Sequence, residues 1–303
     1  VLETTPVDEE LCRFDTHMEQ VRGLAAETRR FSRRITRCFL LQQFGDDQVD
    51  LAAIKPEAVR RFIIDQSTHY SSPGGIVAVI SALRGYFRFR TAGGDQVQTL
   101  IAVLTSPPNW RQASLPKALS SIEVQRLDDS LGWEGPSARR ADAMVRLALD
   151  LGLRRGEIAG LALEDIDWRA GTIRLRRTKG GREDVLPLPE TTGHAIADYL
   201  RLERPPTTSR AVFVRRIAPC GRPVGPDCVG KTIRQAYARA GLPYTGAHLL
   251  RHTMASRLLA SGSSLKEVAD VLRHRSLNTT LIYAKLDTRS LSTVALPWPG
   301  GAE

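Results

Sequence analysis

The sequence predicts a mainly α-helical protein: an all-helical N-terminal domain followed by an α+β domain with a small antiparallel sheet. Through most of the chain, apolar residues recur every three or four positions, which is typical of amphipathic helices. Between residues 167 and 188 the period changes to two, because Ile173 and Leu175 alternate with Arg174 and Arg176. A length of 303 residues gives room for two domains of ordinary size.

Prolines mark the boundary between the two domains. Pro107, Pro108 and Pro116 exclude a continuous helix and favour an extended connection. The resulting division is a first domain at residues 1–110, a linker at 111–117, a second domain at 118–290 and a C-terminal tail at 291–303.

Helices fill the first domain, and turns that contain glycine or proline separate them. In the second domain, Ser120 and Glu123 form a capping-box pattern that opens a helix. The stretch with a period of two then predicts a hairpin or a three-stranded sheet. The helices predicted in the first domain cover residues 13–43, 56–68, 75–91 and 96–104, and those that follow the sheet cover 191–203, 226–240, 247–261, 264–274 and 278–285.

The charge balance favours an acidic partner. Lysine and arginine outnumber aspartate and glutamate by 43 to 33, and the whole excess lies after residue 110. A net charge of +10 fits binding to nucleic acid or to another anionic surface. Clustered arginines in the first domain and two in the hairpin are candidate contacts to DNA phosphates, and a solvated surface is the alternative. These candidates are Arg34, Arg37, Arg84, Arg88, Arg177 and Arg182.

Composition excludes several classes of protein. No stretch approaches the roughly 18 apolar residues that span a bilayer, and the first ten residues are acidic, unlike a signal peptide. The sequence therefore predicts a cytoplasmic protein without a membrane segment. The four cysteines form no CxxC pair, so we expect reduced thiols rather than a structural zinc site.

Two segments place a cation where it could meet a phosphate. Arg154 lies at the break between two helices, and Glu157 follows three residues later to hold its guanidinium. Lys179 lies at the tip of the hairpin, where a lysine could enter a DNA groove and protonate a leaving oxygen. The alternatives are an ordinary surface ion pair and a solvated turn lysine.

Two further segments combine histidine, arginine and tyrosine. His248 and Arg251 share a helix face, so the arginine could neutralise a phosphate oxygen while the histidine transfers a proton. Tyr283 follows His274, and a tyrosine attacks a phosphodiester if cations depress its pKa or a neighbour takes its proton. The alternatives are a buried structural histidine, a core tyrosine, and a zinc site built from His248, His252 and His274.

These four segments, in this order, resemble the tyrosine recombinase family of phage integrases, Xer-type resolvases, and integron and transposon recombinases. Arg273 stands where that family usually has glycine, and Gly156 where a serine is common. The helical first part also resembles the family's core-binding domain. The similar stretches are residues 152–158 (the first-arginine box), 179–188 (the β-hairpin lysine box), 248–251 (the HxxR box) and 272–283 (from the LGH sequence to the nucleophile).

The resemblance implies a transesterification that uses neither metal nor cofactor. Tyr283 would attack the scissile phosphate to give a 3′-phosphotyrosyl link and a free 5′-hydroxyl, while Arg154 and Arg251 stabilise the transition state. The partner would be double-stranded DNA, bound by a homo-tetramer that exchanges strands through a Holliday junction. Sister recombinases or a DNA-bending protein are further expected partners. The expected role is integration, excision or transposition of a mobile element.

Four other residues complete the site that the resemblance implies. Lys179 would protonate the leaving 5′-oxygen, and His248 would serve the tyrosine as base. His274 would hydrogen-bond the phosphate, and Glu157 would orient Arg154.

Three other functions stay open from the sequence. A type IB topoisomerase-like enzyme shares these catalytic groups but needs no second DNA site. A catalytically silent DNA-binding accessory protein would keep the fold without turnover. A metal-dependent nuclease would lose its activity in EDTA.

Overall fold

Helices make up most of both halves of the chain, and a three-stranded sheet lies in the second half, which confirms the predicted fold class. A computed structural model describes residues 5–45, 47–70, 73–106, 116–176, 183–244, 246–273 and 280–286. The chain divides into two compact units at the boundary between residues 110 and 111. The tail predicted at 291–303 and most of the predicted linker lie outside the described residues.

The first unit is helical throughout its secondary structure. Its α-helices are α1 (Pro6–Gln20), α2 (Ala26–Phe44), α3 (Pro56–Ser67), α4 (Pro73–Ala92) and α5 (Gln98–Ala102). A single helix predicted over residues 13–43 is wrong, because α1 ends before Gly23, whose φ of 57° belongs to the left-handed region. The amide of Leu24 donates to the carbonyl of Met18, which closes the helix end before α2 begins.

The core of the first unit lies between α1, α2 and α4, with α3 packed on α4. Aromatic rings fill much of it, and Phe39 contacts Phe62 and Phe87 edge to face. One carboxylate, that of Glu10, is buried at the edge of this core and leaves 2% of its side chain exposed. It accepts hydrogen bonds from Tyr86 at 2.9 Å and from Arg90 at 2.8 Å.

The second unit is built around one central helix. Its α-helices are α6 (Ser121–Asp129), α7 (Ala138–Leu149), α8 (Arg155–Ala159), α9 (Glu190–Leu202), α10 (Pro226–Arg239), α11 (His248–Ala260) and α12 (Leu265–Val271). Helix α7 packs against α9, α10 and α11, and seven of its twelve residues are buried. The predicted capping box at Ser120 and Glu123 is present at the start of α6. The helix predicted over 264–274 ends at Val271, and residues 281–286 form a 3-10 helix.

The sheet of the second unit consists of β1 (Ile166–Asp167), β2 (Thr172–Leu175) and β3 (Asp184–Pro187), antiparallel in that order. Ile173 on β2 pairs with Ile166 on β1 and with Leu186 on β3. The predicted alternation is present, because Ile173 and Leu175 are buried while the arginines between and after them are exposed. Residues 177–182, which include the predicted hairpin tip, lie outside the described residues. No described helix is long and apolar enough to cross a membrane.

The buried carboxylate of Glu10 leads to a stability prediction for the first unit. Arg90→Met removes a guanidinium that is 19% exposed and pairs with both Glu10 and Asp95, and it should destabilise this unit by about 3 kcal/mol, because the buried carboxylate of Glu10 loses its less exposed cation. Arg13→Met is the matched control: Arg13 contacts the same carboxylate at 2.8 Å but is 70% exposed. It should cost less than about 1 kcal/mol. Amide hydrogen exchange of α1 and α4 in the full chain measures both effects, and equal losses would contradict this account.

Candidate active site

The first part of the site is a turn and a short helix that orient Arg154. This residue is the N-cap of α8, and its backbone amide donates to Glu157 Oε2 at 2.8 Å. A carboxylate at the third helical position accepts from the N-cap amide, which fixes the glutamate over the helix start. Arg154 Nη1 then donates to Glu157 Oε1 at 2.6 Å. The side chain of Arg154 keeps 26% of its surface exposed, whereas that of Glu157 keeps 5%.

Helix α11 brings a second arginine to the same place. Arg251 is 5% exposed and donates from Nη1 to the carbonyl of Gly152 and from Nη2 to the carbonyl of Leu272. Gly152 has a φ of 59°, and a Cβ there would lie 3.1 Å from Leu272 Cδ2. Glycine therefore provides both the turn after α7 and the close approach to Leu272.

A third arginine completes the group. Arg273, directly after α12 and its C-cap residue, donates from Nη2 to Glu157 Oε2 at 2.9 Å, and its carbonyl lies 3.4 Å from Arg154 Nη2. Its side chain is 4% exposed. Arg154, Arg251 and Arg273, with Glu157 between them, are called the arginine cluster below. The sequence singled out Arg273 as a departure from the family pattern and gave no signal of this contact.

Burial and mutual repulsion tune the charges of the arginine cluster. Burial, with the positive charges of Arg154 and Arg273, lowers the pKa of Arg251 to about 9, so its guanidinium is still protonated at neutral pH. Burial of Glu157 opposes its ionisation, but Arg273 and the hydrogen bonds from Arg154 outweigh this effect, and the pKa of Glu157 falls below its ordinary value. The cluster thus holds a net positive charge where a phosphate could bind.

Two histidines of α11 lie beside this charge. Desolvation of the imidazole, together with the positive charges of Arg251, Arg155 and Arg154, lowers the pKa of His248 below its ordinary value. Desolvation, followed by His248 and Arg251, lowers the pKa of His252 in the same direction. Both imidazoles are therefore neutral at pH 7 and able to accept a proton.

Tyr283 lies in the 3-10 helix at Leu281–Leu286 and is 1% exposed. It packs in a small apolar cluster with Met254, Val268 and Leu272. Its hydroxyl lies 2.6 Å from His252 Nδ1. The sequence pointed to His252 as a possible zinc ligand and not as a partner of the tyrosine.

The sequence suggested two ways to activate Tyr283: depression of its pKa by cations, or transfer of its proton to a neighbour. Burial raises its pKa to about 12, and the opposing positive charge of Arg251 does not compensate. The cations therefore do not depress the pKa of Tyr283 below its ordinary value in this structure, because burial outweighs the effect of Arg251. Transfer of its proton to a neighbour is the route that the contact with His252 favours.

The placement of four predicted residues is not described by the structure. Lys179, His274, Arg177 and Arg182 lie outside the described residues. Among the described residues, no group of three or more histidine, cysteine, aspartate or glutamate side chains could hold a metal ion.

The candidate DNA contacts of the first unit mostly have partners within the protein. Arg34 donates to the Tyr70 hydroxyl at 3.1 Å, and Arg37 lies 3.5 Å from Asp8. Arg84 donates to the carbonyl of Leu104 after α5. Arg88 is exposed. A role of these arginines in DNA binding stays a prediction.

The neutral histidines lead to a prediction about pH. Between about pH 7.5 and 5.5, the unfolded chain takes up protons on histidines that the folded site keeps neutral, so acidification should lower the free energy of unfolding. His252→Gln removes one such group and should make this decrease smaller. Urea unfolding followed by tryptophan fluorescence measures the difference between the two pH values. The same pH dependence in both proteins would contradict the buried, neutral state of His252.

Comparison with known proteins identifies the family of this chain. Residues 117–289 match the phage integrase family. The chain is 38% identical over 299 residues to y4rA of Sinorhizobium fredii, described as an integrase/recombinase, which covers 98% of this chain and 72% of that protein. It is 31% identical over 302 residues to the tyrosine recombinase XerD of Mycobacterium tuberculosis, which covers 94% of each.

A solved structure of a lambda integrase dimer bound to a COC′ core site shares the fold. Its TM-score is 0.67 at 17% identity, over 92% of this chain and 94% of that one. The family match covers more than half of the chain, and the identities to y4rA and XerD extend over nearly all of it. The protein therefore belongs to the phage integrase family of tyrosine recombinases.

Proposed function

We propose that this protein is a site-specific DNA recombinase that cuts and rejoins DNA strands through a 3′-phosphotyrosyl intermediate. Its family supports strand cleavage and rejoining in site-specific recombination. The observation that supports the phosphotyrosyl chemistry is that the arginine cluster, two neutral histidines and Tyr283 lie within one unit. Arg251 is close enough to Tyr283 for the two to interact electrostatically.

The proposed reaction is a balanced transesterification. The oxygen of Tyr283 forms a bond to phosphorus, the bond from phosphorus to the 5′-oxygen breaks, and Lys179 protonates that leaving oxygen. Arg154 and Arg251 stabilise the negative charge on the non-bridging oxygens. In the reverse step, a 5′-hydroxyl attacks the phosphotyrosine and restores the DNA backbone without ATP. His274 is proposed to hydrogen-bond the same phosphate.

A histidine of α11 accepts the proton of the tyrosine in this proposal. His252 lies within hydrogen-bond distance of the hydroxyl in the structure, which is the geometric requirement for direct transfer. His248, the base that the family resemblance implies, is on the same helix one turn earlier. Because Tyr283 is 1% exposed, we propose that the segment at 281–286 shifts before a DNA phosphate reaches its hydroxyl. In this shifted position, Tyr283 would give its proton to His248.

We further propose that the reaction needs no metal or cofactor. Hydrolytic nucleases commonly use divalent ions to neutralise the charge that develops on the phosphate. The guanidiniums of Arg154 and Arg251 supply the same kind of charge stabilisation from fixed positions. Glu157 holds Arg154 without cancelling the charge of the whole cluster.

The proposed partners follow from the charge of the chain and from the family. We propose double-stranded DNA, a homo-tetramer that joins two duplexes through a Holliday junction, and a cytoplasmic location. Integration, excision or transposition of a mobile element is the proposed role. The greater identity to y4rA, described as an integrase/recombinase, than to XerD supports that preference. The first unit (residues 1–110) is the proposed DNA-binding domain, and residues 118–290 are the proposed catalytic domain.

Covalent trapping tests the proposed chemistry. The substrates are singly nicked duplexes tiled across the DNA that flanks the coding sequence, so that the short strand released by cleavage diffuses away. In EDTA, the wild-type chain should form an adduct that survives a denaturing gel, and Tyr283→Phe should form none because the attacking oxygen is lost. A label at the 5′ end of the cut strand should stay with the protein, as a 3′ linkage requires.

Tyr244→Phe is the matched control for this test. Tyr244 belongs to the same unit, but its hydroxyl donates to Glu123 at 2.8 Å, so its loss should leave the adduct in place. Absence of an adduct on every duplex, or loss of the adduct in EDTA, would contradict the proposal. Retarded DNA on a native gel without any adduct would favour the silent DNA-binding protein instead.

A further inference from the structure

The backbone at Arg273 has a conformation that favours glycine. Its φ is 54°, and among the described residues it is the one non-glycine residue with a positive φ. It follows Leu272, the C-cap of α12, and its amide donates to the carbonyl of Asp270 at 2.9 Å. Glycine is the usual residue at this position after a helix, since it has no Cβ to crowd the turn. An arginine here costs conformational energy that some other contact must offset.

Three arginine side chains donate hydrogen bonds to the three successive carbonyls of the turn at residues 271–273. The carbonyl of Val271 accepts from Arg273 Nη1 at 3.0 Å, that of Leu272 from Arg251 Nη2, and that of Arg273 from Arg154 Nη2. Carbonyls at the end of a helix carry partial negative charge, which suits cations. The turn therefore helps to position all three arginines of the arginine cluster.

The carboxylate of Glu157 is shared between Arg154 and Arg273. Glu157 Oε1 accepts from the Arg154 guanidinium, while Oε2 accepts from the Arg154 amide and from Arg273 Nη2. Because the Arg154 amide and Arg273 together occupy Oε2, Glu157 does not form a two-pronged ion pair with the guanidinium of Arg154. The second prong of Arg154, Nη2, makes a long contact of 3.4 Å to a carbonyl. That nitrogen is the one that a phosphate oxygen could engage at least cost.

We propose that Arg273 is a positioning residue for strand transfer: it shares Glu157 with Arg154 and so leaves the guanidinium of Arg154 incompletely neutralised and available to the scissile phosphate. This inference rests on the proposed recombinase function. Arg273 acts through Glu157 and Arg154 rather than by touching DNA, since its side chain is 4% exposed while that of Arg154 is 26% exposed.

The net charge around Glu157 favours an arginine over a glycine at residue 273. Glu157 and Arg154 alone form a neutral pair, which would bind an anion weakly. With Arg273 added, the same carboxylate faces two guanidiniums and the group carries a net positive charge. The buried ion pair at 2.9 Å also offsets part of the unfavourable backbone conformation.

Two variants of equal backbone strain test the proposal. Arg273→Met and Arg273→Lys both keep a long, non-glycine side chain at a φ of 54°, but lysine keeps the charge. On nicked DNA at saturating concentration, Arg273→Met should slow adduct formation by about tenfold or more, while its DNA dissociation constant changes by less than about threefold. Arg273→Lys should recover most of the lost rate. Arg273→Gly relieves the backbone and should react as slowly as Arg273→Met without a lower melting temperature.

A double-mutant cycle separates positioning from general stability. If Arg273 acts through the carboxylate, Arg273→Met should slow the reaction by less than about threefold in a chain that already carries Glu157→Gln. The proposal is overturned if Arg273→Met reacts at the wild-type rate, if lysine gives no recovery, or if the loss is as large in the Glu157→Gln background. Absence of a Tyr283-dependent adduct from the wild-type chain would instead overturn the recombinase function, and this inference with it.

Discussion

The active site depends on holding three like charges together in a buried turn. The guanidiniums of Arg154, Arg251 and Arg273 meet at the carbonyls of residues 271–273, and one carboxylate, Glu157, lies between them. Buried cations are costly unless they are paired and hydrogen-bonded, and here each donates to a carbonyl or to the carboxylate. The cluster keeps a net positive charge, which suits the phosphodiester that we propose it binds.

The rest of the second unit supports this arrangement. Gly152 gives a turn close enough for its carbonyl to reach Arg251, and the start of α8 fixes Glu157. Burial, reinforced by the nearby positive charges, lowers the pKa of both histidines of α11 and keeps them neutral, so that they are able to accept a proton. Tyr283 is packed in the apolar cluster of α11 and α12, and burial outweighs the positive charge of Arg251 and keeps its hydroxyl protonated. In the proposed reaction, the cations therefore act on the phosphate, while the proton of Tyr283 passes to a histidine.

Local patterns predicted much of this architecture. The change of period from helical to two-fold located the sheet, and the spacing of Arg154 and Glu157 corresponds to a contact within one helical turn. The break between α1 and α2 was missed, because the apolar period continues on both sides of Gly23 and the turn between them is short. The sequence also did not predict contacts between segments that are far apart in the chain. His252 and Tyr283 are 31 residues apart, and Glu157 and Arg273 are 116 apart, so their pairing depends on how α11 and α12 pack.

We propose that the arginine cluster works by neutralising charge on the scissile phosphate. Replacing that phosphate by a methylphosphonate removes the negative charge of the non-bridging oxygens and leaves the reacting bonds in place. On the ordinary phosphate, Arg154→Ala should slow adduct formation by about 100-fold or more; on the methylphosphonate, it should slow it by less than about threefold. Equal slowing on both substrates would contradict the claim, because Arg154 would then contribute to the fold alone.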